Sequence, residues 1–86
     1  MQFHLISEYV VVVAGRTCFI SFRANDGKLW CHVTAAETVF GAVREGWEFF
    51  QDPFWRGPTP SRDTTFEISL VGDERRWLVK AKRAVH

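Results

Sequence analysis

The sequence predicts an α+β fold with the order β-β-β-α-β-β, in which one helix packs on one face of a mostly antiparallel five-stranded sheet. Residues 35–51 carry apolar side chains at steps of three and four, which is the period of an amphipathic helix. The stretches on either side are rich in β-branched and aromatic residues and are separated by turn signals. Because 86 residues suffice to bury one core, residues 1–86 are predicted to form a single domain.

Three strands are predicted before the helix: residues 3–14, 17–24 and 28–33. The dipeptide Gly15-Arg16 suits a two-residue hairpin turn, and Asp26-Gly27 is the strongest turn signal in the chain. The first turn places residue 13 opposite residue 18, and the second places residue 22 opposite residue 31. In this register the two thiols lie too far apart along the middle strand to form a disulfide.

The same register divides the side chains of the three strands between two faces, since partners across a strand pair share a face. The first face is predicted to hold Tyr9, Val11, Val13, Cys18, Ile20, Phe22, Leu29, Cys31 and Val33. The second face is predicted to hold Glu8, Val10, Val12, Phe19, Ser21, Arg23, Trp30 and His32. Both faces carry apolar groups, and a single helix covers only one of them.

The predicted helix begins after Thr34, which together with Glu37 has the spacing of a capping box. It ends before Pro53, because proline has no amide hydrogen and keeps the preceding residue out of the helical region. Gly46 lies beside the apolar stripe, which favours a close contact between helix and sheet. Phe49 lies off the stripe and is expected to be partly exposed.

Residues 53–63 are predicted to be a loop, because three prolines and one glycine interrupt regular structure there. Phe54 and Trp55 are expected to anchor this loop to the body of the domain. The last two strands are predicted over residues 64–71 and 76–84, joined by a turn at 72–75. Their inward side chains are expected to be Phe66, Ile68, Leu70, Trp77, Val79 and Ala81. A four-residue turn places Glu67 opposite Lys80.

Composition bears on partners and on location. The net charge of +1 does not demand a polyanionic partner. No run of apolar residues reaches the length of about 18 that a membrane helix needs. Met-Gln-Phe-His at the start has no signal-peptide character, so we expect a cytoplasmic protein with reduced thiols.

No pattern of catalytic or metal-binding residues is present in the sequence. Cys31 and His32 are adjacent on a predicted strand and point to opposite faces, so they do not share a metal ion. Both cysteines are expected in the core, where a thiol is unreactive. We therefore expect no enzyme activity, no metal and no cofactor.

The second face of the predicted sheet favours protein–protein association, because a monomer rarely leaves a contiguous apolar patch in water. The predicted interface consists of Val10, Val12, Phe19, Arg23 and Trp30. The partner is expected to be a second copy of the chain or another protein in a larger assembly. Two structural alternatives are open: the loop at 53–63 covers this face, or the sheet curls until its halves pack together.

An alternative function is the binding of single-stranded RNA or DNA. Trp30 and Arg23 on the second face have the chemistry to stack on bases. The last predicted strand is basic, with Arg76, Lys80, Lys82 and Arg83 as possible phosphate contacts.

Three strands followed by a capped helix are similar in outline to antitoxin domains of the HicB type and to other small α+β modules. This resemblance is one of topology and covers about half of the chain. It implies a strand meander ahead of the helix, and it carries over no functional residue.

Overall fold

The structure, a computed structural model, describes residues 2–5 and 12–85. Its elements are β1 (Gln2–Leu5), β2 (Thr17–Arg23), β3 (Leu29–Ala35), α1 (Val39–Gln51), β4 (Thr65–Leu70), β5 (Arg75–Lys80) and α2 (Ala81–Ala84). The strands lie in the order β1-β5-β4-β2-β3. Strands β2 to β5 are antiparallel, and β1 joins the edge at β5 in parallel. The predicted α+β class, with an antiparallel sheet and a helix packed on it, is confirmed.

The first predicted hairpin is wrong, because β2 lies between β3 and β4 and has no free side for another strand. Cys18 faces Thr34 on one side and Leu70 on the other, and Val13 is not its partner. The chain does turn near the predicted place: the Arg16 N–H donates to the Val13 carbonyl at 3.1 Å. Just before this turn, Val12 forms an isolated antiparallel bridge with residue 38, which immediately precedes α1.

The turn before Arg16 uses left-handed backbone at residues 14 and 15, with φ of +54° and +73°. Glycine adopts such a conformation without cost, which explains Gly15 at this position. The predicted pairings of Tyr9 and Val11 fall on residues 6–11 and lie outside the described residues.

The hairpin of β2 and β3 is shifted by one residue from the predicted register. The Ala24 N–H donates to the Lys28 carbonyl, and the Gly27 N–H donates to the Ala24 carbonyl, each at 2.9 Å. The loop therefore holds three residues, with Gly27 left-handed at φ +85°, instead of two. Phe22 faces Trp30, not Cys31. A one-residue shift exchanges the two faces of a strand, so every side chain of β3 lies on the face opposite to the predicted one.

Helix α1 begins at Val39, four residues later than predicted. Thr38 is its N-cap, and the Thr38 hydroxyl accepts a hydrogen bond from the Gly41 N–H at 2.9 Å. Thr34 is not a cap but belongs to β3, and its hydroxyl donates to the Glu45 carboxylate. Residues 36–37 do not join the helix, and their carbonyls accept hydrogen bonds from the amides of residues 13–15. The predicted end at Gln51 is confirmed.

The face of α1 that packs on the sheet is buried through Val39, Ala42, Val43, Gly46 and Phe50. A Cβ atom at Gly46 would lie 2.9 Å from the Cγ2 atom of Ile20, so the predicted close contact at this glycine is confirmed. Phe49 is 39% exposed, also as predicted.

The C-terminal hairpin is shifted by two residues, so its faces are as predicted. Glu67 lies opposite Leu78, and Lys80 lies opposite Thr65. The inward positions of the two strands are confirmed, including Phe66 and Trp77, both of which are buried. Strand β5 ends at Lys80 and not at residue 84, because α2 follows directly.

The loop at 53–63 contains no helix or strand, in agreement with the sequence. Trp55 packs against the core, and its indole N–H donates to the Pro58 carbonyl at 2.8 Å. Phe54 does not anchor the loop, because its side chain is 85% exposed. In the part of the chain that the structure describes, no helix is both long and apolar enough to cross a membrane.

Candidate protein-binding surface

The helix covers one face of the sheet, and we call the opposite side of β2 to β5 the outer face. Pairing across the strands assigns to it Thr17, Phe19, Ser21, Arg23, Leu29, Cys31, Val33, Ala35, Thr65, Glu67, Ser69, Arg76, Leu78 and Lys80. Of these side chains only Ser21 is buried, at 6% exposure. The outer face is therefore open to solvent among residues 12–85.

The outer face carries an apolar patch on its β2–β3 side. The patch consists of Phe19, Leu29 and Val33, whose exposed fractions are 37%, 57% and 51%. Phe19 and Val33 are direct partners across the two strands, so their side chains contact the same region of solvent. Leu78, 36% exposed, adds a separate apolar side chain on β5. Such neighbouring exposed side chains are typical of interaction surfaces.

The centre of the outer face is polar. The Arg76 guanidinium donates to the Glu67 carboxylate at 2.7 Å, and both side chains are about one third exposed. A shallow groove of about 210 Å³ lies beside this ion pair, with Leu29 and Leu78 at its sides and Ser21 among its lining residues. The outer face therefore combines exposed apolar side chains with one pair of opposite charges near its centre.

Two of the five residues predicted for the interface, Phe19 and Arg23, do lie on the outer face. Trp30 lies on the core face instead, because the register shift moves it to the side of Ile20. Val12 is 70% exposed but sits at the bridge with residue 38 and is not brought together with Phe19. Val10 lies outside the described residues.

Sequence reasoning missed Leu29, Val33 and Leu78. The signal that identifies the first two is the tripeptide Asn25-Asp26-Gly27. Read as a three-residue loop ending in a left-handed glycine, it sets the observed register. Cys31 is exposed on the outer face for the same reason, while Cys18 is buried as expected.

The core face ends in an aromatic cluster near the C-terminus of α1. The indole rings of Trp30 and Trp55 meet edge to face with centroids 5.4 Å apart. The Trp30 Nε1 atom is buried and has no hydrogen-bond partner among the described residues, which is a cost of about 1–3 kcal/mol for a buried donor. Trp30 is thus partly buried and packs against the core rather than lying on the outer face.

His32 also belongs to the core face, where its ring stacks on Phe49 with centroids 4.1 Å apart. Burial lowers the pKa of His32, and the nearby Glu45 carboxylate opposes this effect. Ser21, which the sequence placed on the same face as His32, pairs with Cys31 on the outer face. Among residues 12–85, no three His, Cys, Asp or Glu side chains are grouped closely enough to hold a metal ion.

The basic residues near the C-terminus do not form one surface. Arg76 pairs with Glu67 on the outer face, and the Lys82 ammonium lies 3.2 Å from the Asp63 carboxylate in the loop region. Lys80 ends β5, and Arg83 follows in α2. The predicted phosphate-contacting set is therefore divided between two sites, and two of its members already contact carboxylates.

A second charged cluster lies at the β4–β5 turn. The Arg75 guanidinium donates to the Asp73 carboxylate at 2.8 Å, and the Arg16 guanidinium approaches the same carboxylate at 3.5 Å. Hydrogen bonds from Arg75 hold the pKa of Asp73 well below its usual range. Arg16 also donates to the Val71 carbonyl at 3.0 Å, so this cluster ties the start of β2 to the turn.

Comparisons with family models, curated proteins and solved structures find no match to this chain. The outline similarity to HicB-type antitoxin domains depended on a three-strand meander before the helix. Among residues 2–5 and 12–85, β1 to β3 do not form such a meander, because β1 pairs with β5 at the far edge of the sheet.

Proposed function

We propose that this protein is a protein-binding module that associates with a second copy of itself through the outer face, and that it does so without catalysis. The observation that carries the proposal is the set of exposed apolar side chains on a sheet face that the helix does not cover. The loop at 53–63 does not supply the missing cover, since Trp55 packs against the core and Phe54 is exposed.

The size of the outer face sets the expected strength of association. Four strands of about six residues span an area of roughly 20 Å by 19 Å, or about 400 Å² in projection. A stable interface buries about 800 Å² on each partner. A dimer that uses only this face is therefore weak, with a dissociation constant expected in the micromolar range or above.

Charge supports a second copy as the partner. The Glu67–Arg76 pair presents one negative and one positive group side by side near the centre of the face. When two such faces meet about a two-fold axis, each carboxylate is able to face the other copy's guanidinium. Arg23 lies beside Leu29 at the rim, where a charge remains hydrated.

The proposal is tested by measuring mass against concentration. Sedimentation equilibrium of the wild type is expected to show a mass that rises with concentration, and Phe19→Lys is expected to remain monomeric. Phe54→Lys is the matched control, because this side chain is the most exposed of the large apolar ones described and lies in the loop. A wild type that is monomeric at high micromolar concentration contradicts the proposal, as does a Phe19→Lys variant that associates normally.

The alternative, binding of single-stranded nucleic acid, has weaker support. Phe19 and Arg23 share the outer face, but Trp30 is absent from it and Arg76 already contacts a carboxylate. A fluorescence titration with mixed oligonucleotides distinguishes the two functions. A salt-sensitive change favours nucleic-acid binding, and no change at low salt rules it out.

A further inference from the structure

Strand β3 forms one edge of the sheet, and within the described ranges no strand pairs with the edge of β3 that points away from β2. Its sequence, Leu-Trp-Cys-His-Val-Thr-Ala, contains no residue with a formal charge at neutral pH, no proline and no glycine. No residue of β3 is fully buried. Natural proteins usually protect an open edge with charged residues, proline or a bulge. β3 has none of these, so its edge is open to pairing.

The backbone groups that face this edge follow from the hairpin loop. The Ala24 N–H donates to the Lys28 carbonyl, so residue 28 directs its hydrogen-bonding groups toward β2. Bonded and non-bonded pairs alternate along an antiparallel ladder. Trp30, His32 and Thr34 therefore bond to β2, and the residues between them direct their N–H and C=O groups outward. The Thr17 carbonyl accepts from the Val71 N–H on the β4 side, which agrees with this alternation.

We propose that the open edge of β3 pairs antiparallel with β3 of a second copy, with Cys31 opposite its own counterpart about a two-fold axis. This interface lies at the edge of the sheet, is distinct from the face-to-face contact proposed above, and does not depend on it. In this register Leu29 of each copy faces Val33 of the other, so apolar side chains meet on the outer face. A strand without formal charge is self-complementary, since pairing with its own copy brings no like charges together.

Edge pairing makes a continuous sheet from two copies and places the two apolar patches side by side. The Cα atoms of an outward-facing pair lie about 5.5 Å apart in such a ladder. The two Cys31 thiols are then close enough for a short bifunctional maleimide to join them. Cys18 is buried and serves as the internal control.

The experiment compares Cys31→Pro with Cys31→Ser. Proline at residue 31 removes only an outward N–H and keeps the bonds between β2 and β3, whereas serine keeps that N–H and removes the thiol. Cys31→Lys is a second variant that keeps the backbone intact and places like charges opposite each other in the pair. The readouts are mass at high micromolar concentration and amide hydrogen exchange by NMR at residues 31, 32 and 33.

In the wild type, exchange at residues 31 and 33 is expected to slow by about tenfold or more between low and high concentration, while residue 32 is slow throughout because it bonds to β2. Cys31→Pro and Cys31→Lys abolish the slowing at residue 33, and Cys31→Ser retains it. The maleimide cross-link forms in wild type and in Cys18→Ser but not in Cys31→Ser. Concentration-independent exchange at residue 33, whether fast or slow, overturns the proposal.

Failure of this inference is distinguishable from failure of the proposed function. If Phe19→Lys abolishes association while Cys31→Pro does not, the outer face mediates self-association and the edge proposal is wrong. If Cys31→Pro and Cys31→Lys abolish association while Phe19→Lys does not, the edge proposal holds and the face-to-face contact is wrong.

Discussion

The two faces of the sheet are built from the same strands and differ in their exposure to solvent. On β2, Ile20 is fully buried under α1, while its neighbour Phe19 is 37% exposed on the outer face. The core face carries fully buried side chains such as Phe66 and Ile68, whereas the outer face carries an ion pair and exposed apolar side chains. Alternation along a strand thus separates the residues that are buried in the core from those that are exposed to solvent.

The largest contrast is expected in the reactivity of the two thiols. Cys31 is exposed on the outer face and Cys18 is buried, so a thiol reagent is expected to modify Cys31 in the native protein. Cys18 reacts only when the domain opens. For a stability of about 5 kcal/mol, its labelling is slower by a factor of about 10³ or more. Mass spectrometry of labelled peptides measures both rates, and equal rates would show that the register of β3 is wrong.

Truncation of a phenylalanine tests the two faces for stability. Phe50 is fully buried and packs edge to face on Phe22 with centroids 4.9 Å apart. Phe50→Ala is expected to lower the free energy of unfolding by about 3–5 kcal/mol. Phe19→Ala, on the outer face, is expected to cost about 1 kcal/mol or less in the monomer. Urea denaturation at low protein concentration measures both values, and similar losses for the two variants would contradict the assignment of faces.

Gly46→Ala tests how closely α1 approaches the core face. Alanine favours a helix by about 1 kcal/mol over glycine. Here its Cβ would lie 2.9 Å from the Cγ2 atom of Ile20, and such overpacking costs about 1–3 kcal/mol. We expect a net loss of about 1 kcal/mol in the free energy of unfolding.

The matched control for this variant is the double mutant with Ile20→Ala. Removing the Ile20 side chain beyond Cβ opens space for the new methyl group. In that background Gly46→Ala is expected to cost clearly less, because the 2.9 Å contact is removed and the 3.3 Å contact with the Ile20 Cβ atom is left against the gain in helix propensity. A Gly46→Ala cost that is unchanged by Ile20→Ala would contradict the close contact.

The smallest effect is expected from His32, which sits on the core face beside the exposed Cys31. Burial places the pKa of His32 in the folded protein below its ordinary value of 6.5. The unfolded chain therefore binds the proton more readily than the folded protein does. The stability that comes from neutral, buried His32 is fully present above pH 6.5 and is lost as the pH falls toward the pKa of His32 in the folded protein.

Urea midpoints measured from about pH 7.5 to about pH 5.5 check this dependence. His32→Gln is expected to flatten the pH profile in that window, because the titrating group is absent. A wild type that becomes more stable on acidification would contradict the direction of the shift.

The two hairpins show how much of this architecture could be predicted from the chain alone. In the C-terminal hairpin the predicted partner of Glu67 was two residues away from its partner in the structure, and the predicted inward-facing side chains were still correct. In the β2–β3 hairpin the error was a single residue, and it moved Trp30 from the predicted interface into the core. The period of a strand is two, so an even error in register conserves the faces and an odd error exchanges them.

Other differences have a common cause in contacts between segments distant in the sequence. The Thr34–Glu37 spacing is that of a helix cap, but residues 34–37 stay outside the helix because β2 and residues 13–15 bind their backbone. The sequence predicts residues 3–14 as the partner of β2, but in the structure β4 occupies that position. Local sequence patterns do not decide which of two segments pairs with a given strand edge, because tertiary contacts override local propensity.

By itself the sequence determined the α+β class, the end of α1 at Gln51, the close approach at Gly46 and the inward alternation of β4 and β5. These follow from periodicity and from the conformational limits of proline and glycine, which act over a few residues. Only the tertiary structure decided which strands are neighbours, which face Trp30 occupies and that β3 lies at an open edge. Those outcomes depend on the pairing of backbone groups far apart in the chain, where a change of one residue reverses which side chains face the solvent.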